Sequence, residues 1–198
     1  MVFHWSMDEP QPADERRLVT SLATDLDGTF EALVAAHEDR LFTIALRVLG
    51  DRGDAEEAAQ DAFVRAYRAL DGYDAERIRD LRLRGWLTTI LLNICRNRTR
   101  VRRVQTSELA FEPAAEPAVD PVRRHETRDA WAGLLAMLPT AQRTAIVLRH
   151  VDGLSYAEMA VALDRPEGTL KAQVHRGLAT LREALLANER LGREELSA

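Results

Sequence analysis

The chain has 198 residues, a formal net charge of −5 and a hydrophobic content of 46%, which is enough for one large or two small packed domains. Few aromatic residues and abundant alanine and leucine favour helices over sheets. The single cysteine, Cys95, excludes an intrachain disulfide and fits a reducing compartment. No segment has the pattern of a signal peptide or the ~18 consecutive apolar residues of a membrane helix. We therefore expect an all-α cytoplasmic protein without membrane insertion.

The first half of the chain predicts a short disordered segment followed by a three-helix bundle. Residues 1–27 are polar, acidic and proline-bearing, and we expect them to be disordered. A first helix ends near Gly50, and a second begins at Asp54, where Glu57 completes an acidic capping box. The first helix is marked by an apolar face at helical spacing, made of Phe30, Leu33, Val34, Leu41, Ile44, Ala45 and Val48.

The third predicted helix runs from about Arg84 to Arg103, after a break at "DGYDAERIRD". Its predicted buried side consists of Trp86, Leu87, Ile90, Leu91 and Ile94. Three amphipathic helices joined by short turns are enough for a small bundle over residues 28–103.

Charge is distributed as a mosaic. Residues 77–103 hold nine arginines and one acid, Asp80, whereas residues 54–61 hold four acids and no base. Residues 105–121 contain Glu108, Glu112, Glu116 and Asp120 without a base. A mosaic of this kind can meet nucleic acid at one face and a basic protein surface at another.

Residues 104–126 have evenly spaced prolines at Pro113, Pro117 and Pro121, and we predict an extended acidic linker. A second small helical domain is predicted over residues 127–188, followed by a tail over 189–198. Its first apolar positions are Trp131, Leu134, Leu135 and Leu138, and the next helix is predicted to be capped by Thr140.

The second domain contains the pattern of a helix-turn-helix. Ser155 and Glu158 form a capping box, and Asp164 and Arg165 before Pro166 end the short helix that follows. Its apolar face is predicted to be Ala157, Ala160 and Leu163. Pro166 suits the start of the next, longer helix. Two helices over such a turn are typical of proteins that read duplex DNA.

The long helix after the turn has the character of a recognition helix. Leu170, Val174, Gly177, Leu178 and Leu181 share one side, which we expect to face the core. The opposite side is small, polar and basic, so that the backbone can approach a major groove while side chains reach base edges. An ordinary surface helix with incidental charge is the alternative. The outer residues are Gly168, Thr169, Ala172, His175 and Arg176, with Lys171 and Gln173 on the flanks.

Two charged segments have both a structural and a functional interpretation. The run "NICRNRTRVRR" suits a helix end, but its density near Tyr73 and Trp86 favours contact with unpaired bases. The acidic start at Asp54, Glu56, Glu57 and Asp61 is, by itself, typical of a solvated helix N-terminus.

The sequence predicts no enzyme, metal site or cofactor. The five histidines, His4, His37, His125, His150 and His175, have no ligand-like spacing with Cys95. No phosphate loop, GxSxG turn or HExxH helix is present. Cys95 adjoins Ile94 and is interpreted as a core residue.

Together the segments resemble the extracytoplasmic-function (ECF) sigma factors of the bacterial sigma-70 family over about residues 28–187. "GDAEEAAQDAFVRAYRAL" is similar to that family's core-binding helix, and "LRGWLTTILLNICRNRTR" to its promoter-melting helix. The stretch from "LPTAQRTAIVLRHVDG" to "KAQVHRGLATLRE" is similar to its minus-35-binding domain. The resemblance implies a factor that binds core RNA polymerase and directs transcription initiation through minus-10 and minus-35 elements.

The resemblance also implies partners and site residues. The partners are core polymerase (beta-prime clamp helices and beta flap), promoter DNA and an anti-sigma factor. Core binding falls on Asp54, Glu57, Gln60, Asp61 and Phe63. Minus-10 binding falls on Tyr73, Arg84, Trp86, Asn93, Arg96, Asn97 and Arg100. Minus-35 binding falls on Arg165, Gly168, Thr169, Lys171, Ala172, Gln173, His175 and Arg176.

Two other functions are compatible with parts of the pattern. A regulator that binds DNA unaided, with residues 28–103 as a sensor or dimerisation bundle, explains the helix-turn-helix but not the arginine-rich helix or the acidic linker. An anti-sigma or adaptor protein explains the helices but not the recognition face. Asp164 stands where the family often has glycine, and aspartate tolerates the left-handed conformation better than most residues.

Overall fold

The computed structural model describes residues 13–108 and 126–195, and side chains within 13–100 and 131–187. These residues form α helices and no strand, which confirms the all-α class. The helices are α1 Ala13–Leu22, α2 Leu26–Leu49, α3 Arg52–Asp71, α4 Ala75–Arg79, α5 Leu83–Glu108, α6 Glu126–Ala136, α7 Thr140–Ile146, α8 Tyr156–Leu163 and α9 Glu167–Glu195.

The N-terminal unit is a bundle of α2, α3 and α5. The turn between α2 and α3 is tight because Gly50 adopts φ +78°, a left-handed conformation that glycine reaches without steric cost. Leu41, Ile44, Leu87 and Leu91 are fully buried between the helices. The helical spacing of apolar residues thus predicted this core correctly, except that Phe30, Val34 and Ile90 are only partly buried.

The prediction of disorder over residues 1–27 is wrong for residues 13–22, which form α1, and α2 already begins at Leu26. Val19 and Leu22 of α1 are buried against the bundle. The few apolar side chains of α1 do not stand out in a polar segment, so packing against the bundle stabilises this helix. Residues 1–12 lie outside the described part of the chain.

Two helix starts in the N-terminal unit differ from the prediction. The N-cap of α3 is Asp51, whose carboxylate accepts a hydrogen bond from the Asp54 N–H, so Asp54 lies inside the first turn. The predicted break after α3 holds a further short helix, α4, because Asp74 caps it in the same way.

The C-terminal unit consists of α6 to α9, and α7 continues through a π-helical turn at Val147–Val151. The predicted cap at Thr140 is wrong: Thr140 is the first residue of α7, Pro139 precedes it, and no side chain caps the helix. The ends of the predicted linker and tail are also helical, since α5 reaches Glu108, α6 begins at Glu126 and α9 reaches Glu195. Residues 109–125 and 196–198 lie outside the described residues.

The helix-turn-helix is confirmed in its local chemistry. Ser155 and Glu158 form both hydrogen bonds of the capping box, and Asp164 ends α8 with φ 51°. Met159 and Ala162 are the buried residues of α8, whereas the predicted Ala157, Ala160 and Leu163 are only partly buried.

One side of α9 meets α7 and α8, as predicted. Leu170, Val174 and Leu181 are buried there, and Gly177 allows close packing because a Cβ would lie 2.6 Å from Cδ1 of Ile146. The prediction that Leu178 faces the core is wrong, since it is 42% exposed.

The two units pack against each other. Helix α5 contacts α8, and α2 contacts α7 and the π-helical turn. Over the described ranges 13–108 and 126–195, none of the helices is sufficiently long and apolar to cross a membrane.

If α1 is an integral part of the bundle, Leu22→Ala should lower the free energy of unfolding by about 2–5 kcal/mol, because Leu22 is 1% exposed and its loss leaves a cavity. Urea denaturation followed by circular dichroism measures this change, with exposed Ser21→Ala as the control. A loss for Leu22→Ala no larger than that of the control would contradict the packing of α1.

Candidate nucleic-acid and protein interfaces

The acidic face of α3 is organised around one arginine of α5. Nη1 of Arg98 donates hydrogen bonds to Glu57 at 2.9 Å and to Asp54 at 3.4 Å, and its Nη2 donates to Asp61 at 3.2 Å. The three acids meet one guanidinium because residues three and four apart share a helix face. Hydrogen bonding to Glu57 raises the pKa of Arg98.

Three carboxylates around one arginine leave this face negative overall. The side chain of Glu57 is 70% exposed, and Gln60 and Asp61 are also open to solvent. Phe63, which was predicted with them, is buried in the bundle. Its side chain packs α3 against the core and supports the acidic face from beneath.

The exposed face of α5 brings together the polar residues predicted to meet the minus-10 element. Asn93, Arg96, Asn97 and Arg100 are exposed and follow the spacing of one helix stripe. The apolar residues of α5 point into the bundle on the opposite side. One of the four already contacts the C-terminal unit, since Nη2 of Arg96 donates to the carbonyl of Leu163 at 3.4 Å.

The two aromatic residues predicted to contact unpaired bases, Tyr73 and Trp86, are only partly accessible. Trp86 is 7% exposed and packs in the core, so the expectation that it offers a free ring to a base is wrong. It lies on the side of α5 that faces the bundle, next to Leu87. Tyr73 is half-buried, with its ring centroid 6.3 Å from that of Trp86, and the guanidinium of Arg77 lies 3.7 Å from the Tyr73 centroid.

A buried carboxylate joins the two units. Asp152, which follows the π-helical turn, accepts hydrogen bonds from Nε and Nη2 of Arg40 at 2.6 and 2.8 Å. Nη2 of Arg84 donates to the backbone carbonyl of Asp152 and, at 3.3 Å, to its carboxylate. Thr88 completes the group, with its Oγ1 at 3.5 Å from the carboxylate.

Two further groups lie at this contact between the units. Burial lowers the pKa of His37 to about 4, and the charges of Arg40 and Arg84 act in the same direction. His37 is therefore neutral at pH 7 and adds no charge. Arg143 of α7 donates from Nη1 to the carbonyl of Val48 at 3.3 Å, which ties α7 to the end of α2.

The outer face of the helix-turn-helix is open. Seven of the eight residues predicted to meet the minus-35 element are exposed together around the start of α9: Arg165, Gly168, Thr169, Lys171, Ala172, His175 and Arg176. Gln173 is the exception, since it is 8% exposed. Its side of α9 turns inward beside Val174, so the expectation that Gln173 flanks the reading surface is wrong in this arrangement.

Within the described part of the chain, His, Cys, Asp and Glu form no group that could hold a metal ion. The interpretation of Cys95 as a core residue is confirmed: it is buried, and burial raises its pKa to about 12. A thiol with this pKa is protonated at pH 7 and is a poor nucleophile.

The sequence prediction missed Arg98, Arg40, Thr88 and Asp152. Arg98 could have been found, because it lies in the arginine-rich run "NICRNRTRVRR" and the acids of α3 share one helix face. Arg40 and Asp152 are 112 residues apart, and their pairing has no local signal in the sequence.

Comparison with known proteins agrees with this geometry. Residues 33–104 match the family model of sigma-70 region 2, and residues 128–181 match that of sigma-70 region 4. The RNA polymerase sigma-E factor of Streptomyces avermitilis is 34% identical over 157 residues, which cover 79% of this chain and 84% of that protein. The ECF RNA polymerase sigma factor SigE of Mycolicibacterium smegmatis is 32% identical over 79% of this chain, which spans 62% of that protein's length.

A solved structure is also similar. The sigma factor RpoE of Bartonella quintana, solved in complex with the anti-sigma factor NepR, matches with a TM-score of 0.61 at 28% identity, over 79% of this chain and 96% of that one. The chain therefore belongs to the ECF sigma factors of the sigma-70 family. It is a sigma factor, the class of protein that directs RNA polymerase to promoters.

Proposed function

We propose that this sigma factor divides promoter recognition between its two units, with residues 28–103 at the minus-10 element and residues 127–188 at the minus-35 element. The observation that carries the proposal is the pair of exposed polar helix faces, one on α5 and one on α9, each opposite buried apolar residues of its own helix. In this role the protein acts together with core polymerase in the cytoplasm and catalyses no step itself.

The acidic face of α3 is proposed to dock on the beta-prime clamp helices of core polymerase. Exposed carboxylates of Glu57 and Asp61 beside Gln60 supply a negative surface, and complementary charge speeds association and fixes orientation. The hydrogen bonds of Arg98 support the proposal because they hold Glu57 and Asp61 on the same side of the bundle. Docking of the C-terminal unit on the beta flap remains a proposal from the family resemblance.

The face of α5 is proposed to hold the unpaired minus-10 strand. Asn93 and Asn97 offer amides that can pair with base edges, while Arg96 and Arg100 can bind phosphates. Tyr73 is the aromatic ring left for stacking, because Trp86 is buried. Arg84 lies at the start of the same helix, where it can meet the strand's backbone once it is free of Asp152.

The start of α9 is proposed to enter the major groove at the minus-35 element. Gly168 and Ala172 allow close approach of the backbone, and Lys171, His175 and Arg176 supply donors. An anti-sigma factor is proposed as a further partner, since the similar Bartonella quintana protein was solved with one.

Asp61→Arg should weaken binding to core polymerase, because it places a positive charge beside Arg98 and against the basic partner. A loss of about tenfold or more, or 1.4 kcal/mol, is expected. Titration of labelled sigma factor with core enzyme measures it, with Glu31→Arg, an exposed acid of α2, as the control. Equal affinities for the two variants, both with normal helicity, would exclude α3 as the docking face.

Arg176→Ala should reduce promoter binding by the holoenzyme by about 1–3 kcal/mol at a single base position of the minus-35 element if Arg176 reads a guanine. Binding to a set of single-base minus-35 variants measures this. Arg182→Ala, an exposed arginine farther along α9, is the control. An equal loss on every sequence would make Arg176 a phosphate contact, and no loss would remove it from the interface.

The holoenzyme should prefer single-stranded non-template DNA with the minus-10 motif over the same sequence as a duplex, and Asn93→Ala should reduce that preference. The reason is that the N-terminal unit presents the amides and arginines of α5 but has no helix-turn-helix that could enter a major groove. Fluorescence anisotropy at fixed salt measures both affinities. Equal affinity for the two forms would show that the arginines of α5 contact only the backbone.

A further inference from the structure

Arg40, Arg84 and Thr88 form a buried anion site in the N-terminal unit, and the carboxylate of Asp152 fills it. The side chain of Asp152 is 0% exposed, and its hydrogen bonds run to these three residues of the other unit. Within its own unit Asp152 is bonded through its backbone N–H, to the carbonyl of Val147. Removing the carboxylate therefore weakens the contact between units, because its hydrogen bonds to Arg40, Arg84 and Thr88 are lost, while the backbone hydrogen bond within the C-terminal unit is kept.

The N-terminal unit positions this site by itself. Nη2 of Arg40 donates to Oγ1 of Thr88 at 2.6 Å and to the carbonyl of Arg84 at 3.2 Å. Thr88 is fixed in turn by its own bond to the Arg84 carbonyl at 2.8 Å. Arg40 is thus held against α5 by hydrogen bonds that lie entirely within the N-terminal unit.

The chemistry of the site fits a phosphate group. The guanidinium of Arg40 grips the carboxylate with two parallel N–H donors, a fork that matches phosphate as well as carboxylate. Among the residues that the structure describes, the buried Nη1 of Arg40 has no hydrogen-bond acceptor. A carboxylate has two oxygens, whereas a phosphodiester offers more acceptors around the same centre.

The location of the site connects it with DNA. Arg84 and Thr88 lie on α5, at its N-terminal end, and Arg96 lies farther along the helix. In the same arrangement α8 packs against α5. There the carbonyl of Leu163 accepts a hydrogen bond from Arg96. A DNA strand along α5 and the C-terminal unit in this position would compete for the same arginines.

We propose that Asp152 is an internal substitute for a DNA phosphate: its carboxylate fills the Arg40–Arg84–Thr88 site while the units are closed, and a phosphodiester of the promoter strand fills it when they open. The sigma factor is then self-inhibited for strand binding. The inference rests on the proposed role of α5, and it adds to that role a backbone-binding site and a competitor built into the chain.

The test compares the full chain with Asp152→Asn and with Glu183→Gln, which removes the same charge from an exposed position of α9. Small-angle X-ray scattering gives the radius of gyration, and fluorescence anisotropy gives the affinity for a short random-sequence single strand. Asp152→Asn should enlarge the radius and tighten binding by about tenfold, because the apparent Kd falls as the open fraction rises. A radius and affinity equal to those of Glu183→Gln would overturn the proposal.

A second pair of variants separates opening from phosphate binding. Arg40→Gln should also favour the open form, since it removes two hydrogen bonds of a buried carboxylate, yet it should gain less affinity than Asp152→Asn because the freed site lacks one guanidinium. Added to Asp152→Asn, it should lower affinity and reduce the slope of log K against log salt by about 0.7. Arg65→Gln, an exposed arginine of α3, is the control. An affinity and salt slope unchanged from Asp152→Asn alone would show that Arg40 binds no phosphate.

The random-sequence strand reports backbone contacts only. Failure of this proposal would therefore leave the sequence-specific test of Asn93 unaffected, and a failure at Asn93 would leave the anion site standing. Circular dichroism and thermal unfolding of every variant confirm that the helices are retained.

Discussion

The arrangement of the two helical units depends on how one buried carboxylate is neutralised. Asp152 has no exposed side-chain surface, and burying an ionised carboxylate is costly unless it is paired and hydrogen-bonded. Arg40, Arg84 and Thr88 supply those partners from the other unit. Because the ion pair of Arg40 and Asp152 joins the two units, it also helps to fix the position of α8 against α5. The polar stripe of α5 therefore lies next to the helix-turn-helix, so the position of one unit affects access to the other.

The local distribution of charge explains how a chain with a net charge of −5 can recognise DNA. Its charges act locally, because interactions between exposed charges are screened beyond about 10 Å at moderate salt. The acids of α3 form a separate negative face around Arg98, suited to a basic protein surface. The stripes on α5 and α9 carry the arginines, lysine and amides that suit nucleic acid. Overall charge is therefore a poor guide to the partners of a protein that binds both.

The sequence was most informative where the signal is local. The capping box at Ser155, the left-handed Asp164 and the apolar stripes of α2, α5 and α9 depend on residues a few positions apart. The structure confirms them, apart from the exposed Leu178 and a few partly buried stripe residues. Errors arose where packing decides. Helix α1 is helical although its segment is polar, and Gln173 is buried although its type suits a binding surface. The helical spacing correctly placed Trp86 on the buried side of α5, but its aromatic type also led to a wrong assignment to the minus-10 surface. The pairing of Arg40 with Asp152 depends on the docking of two units, which no spacing along the chain encodes.

Transcription with purified core polymerase tests most directly whether both units act as one promoter-recognition factor. Core enzyme is incubated with a library of duplex promoters, with and without the chain, and the 5′ ends of the transcripts are mapped. Addition of the chain should produce starts at fixed distances downstream of paired minus-35 and minus-10 motifs, and changes to either motif should abolish them. Binding of the chain to minus-35 DNA without any new start site would contradict this function and would instead indicate a regulator that binds DNA unaided.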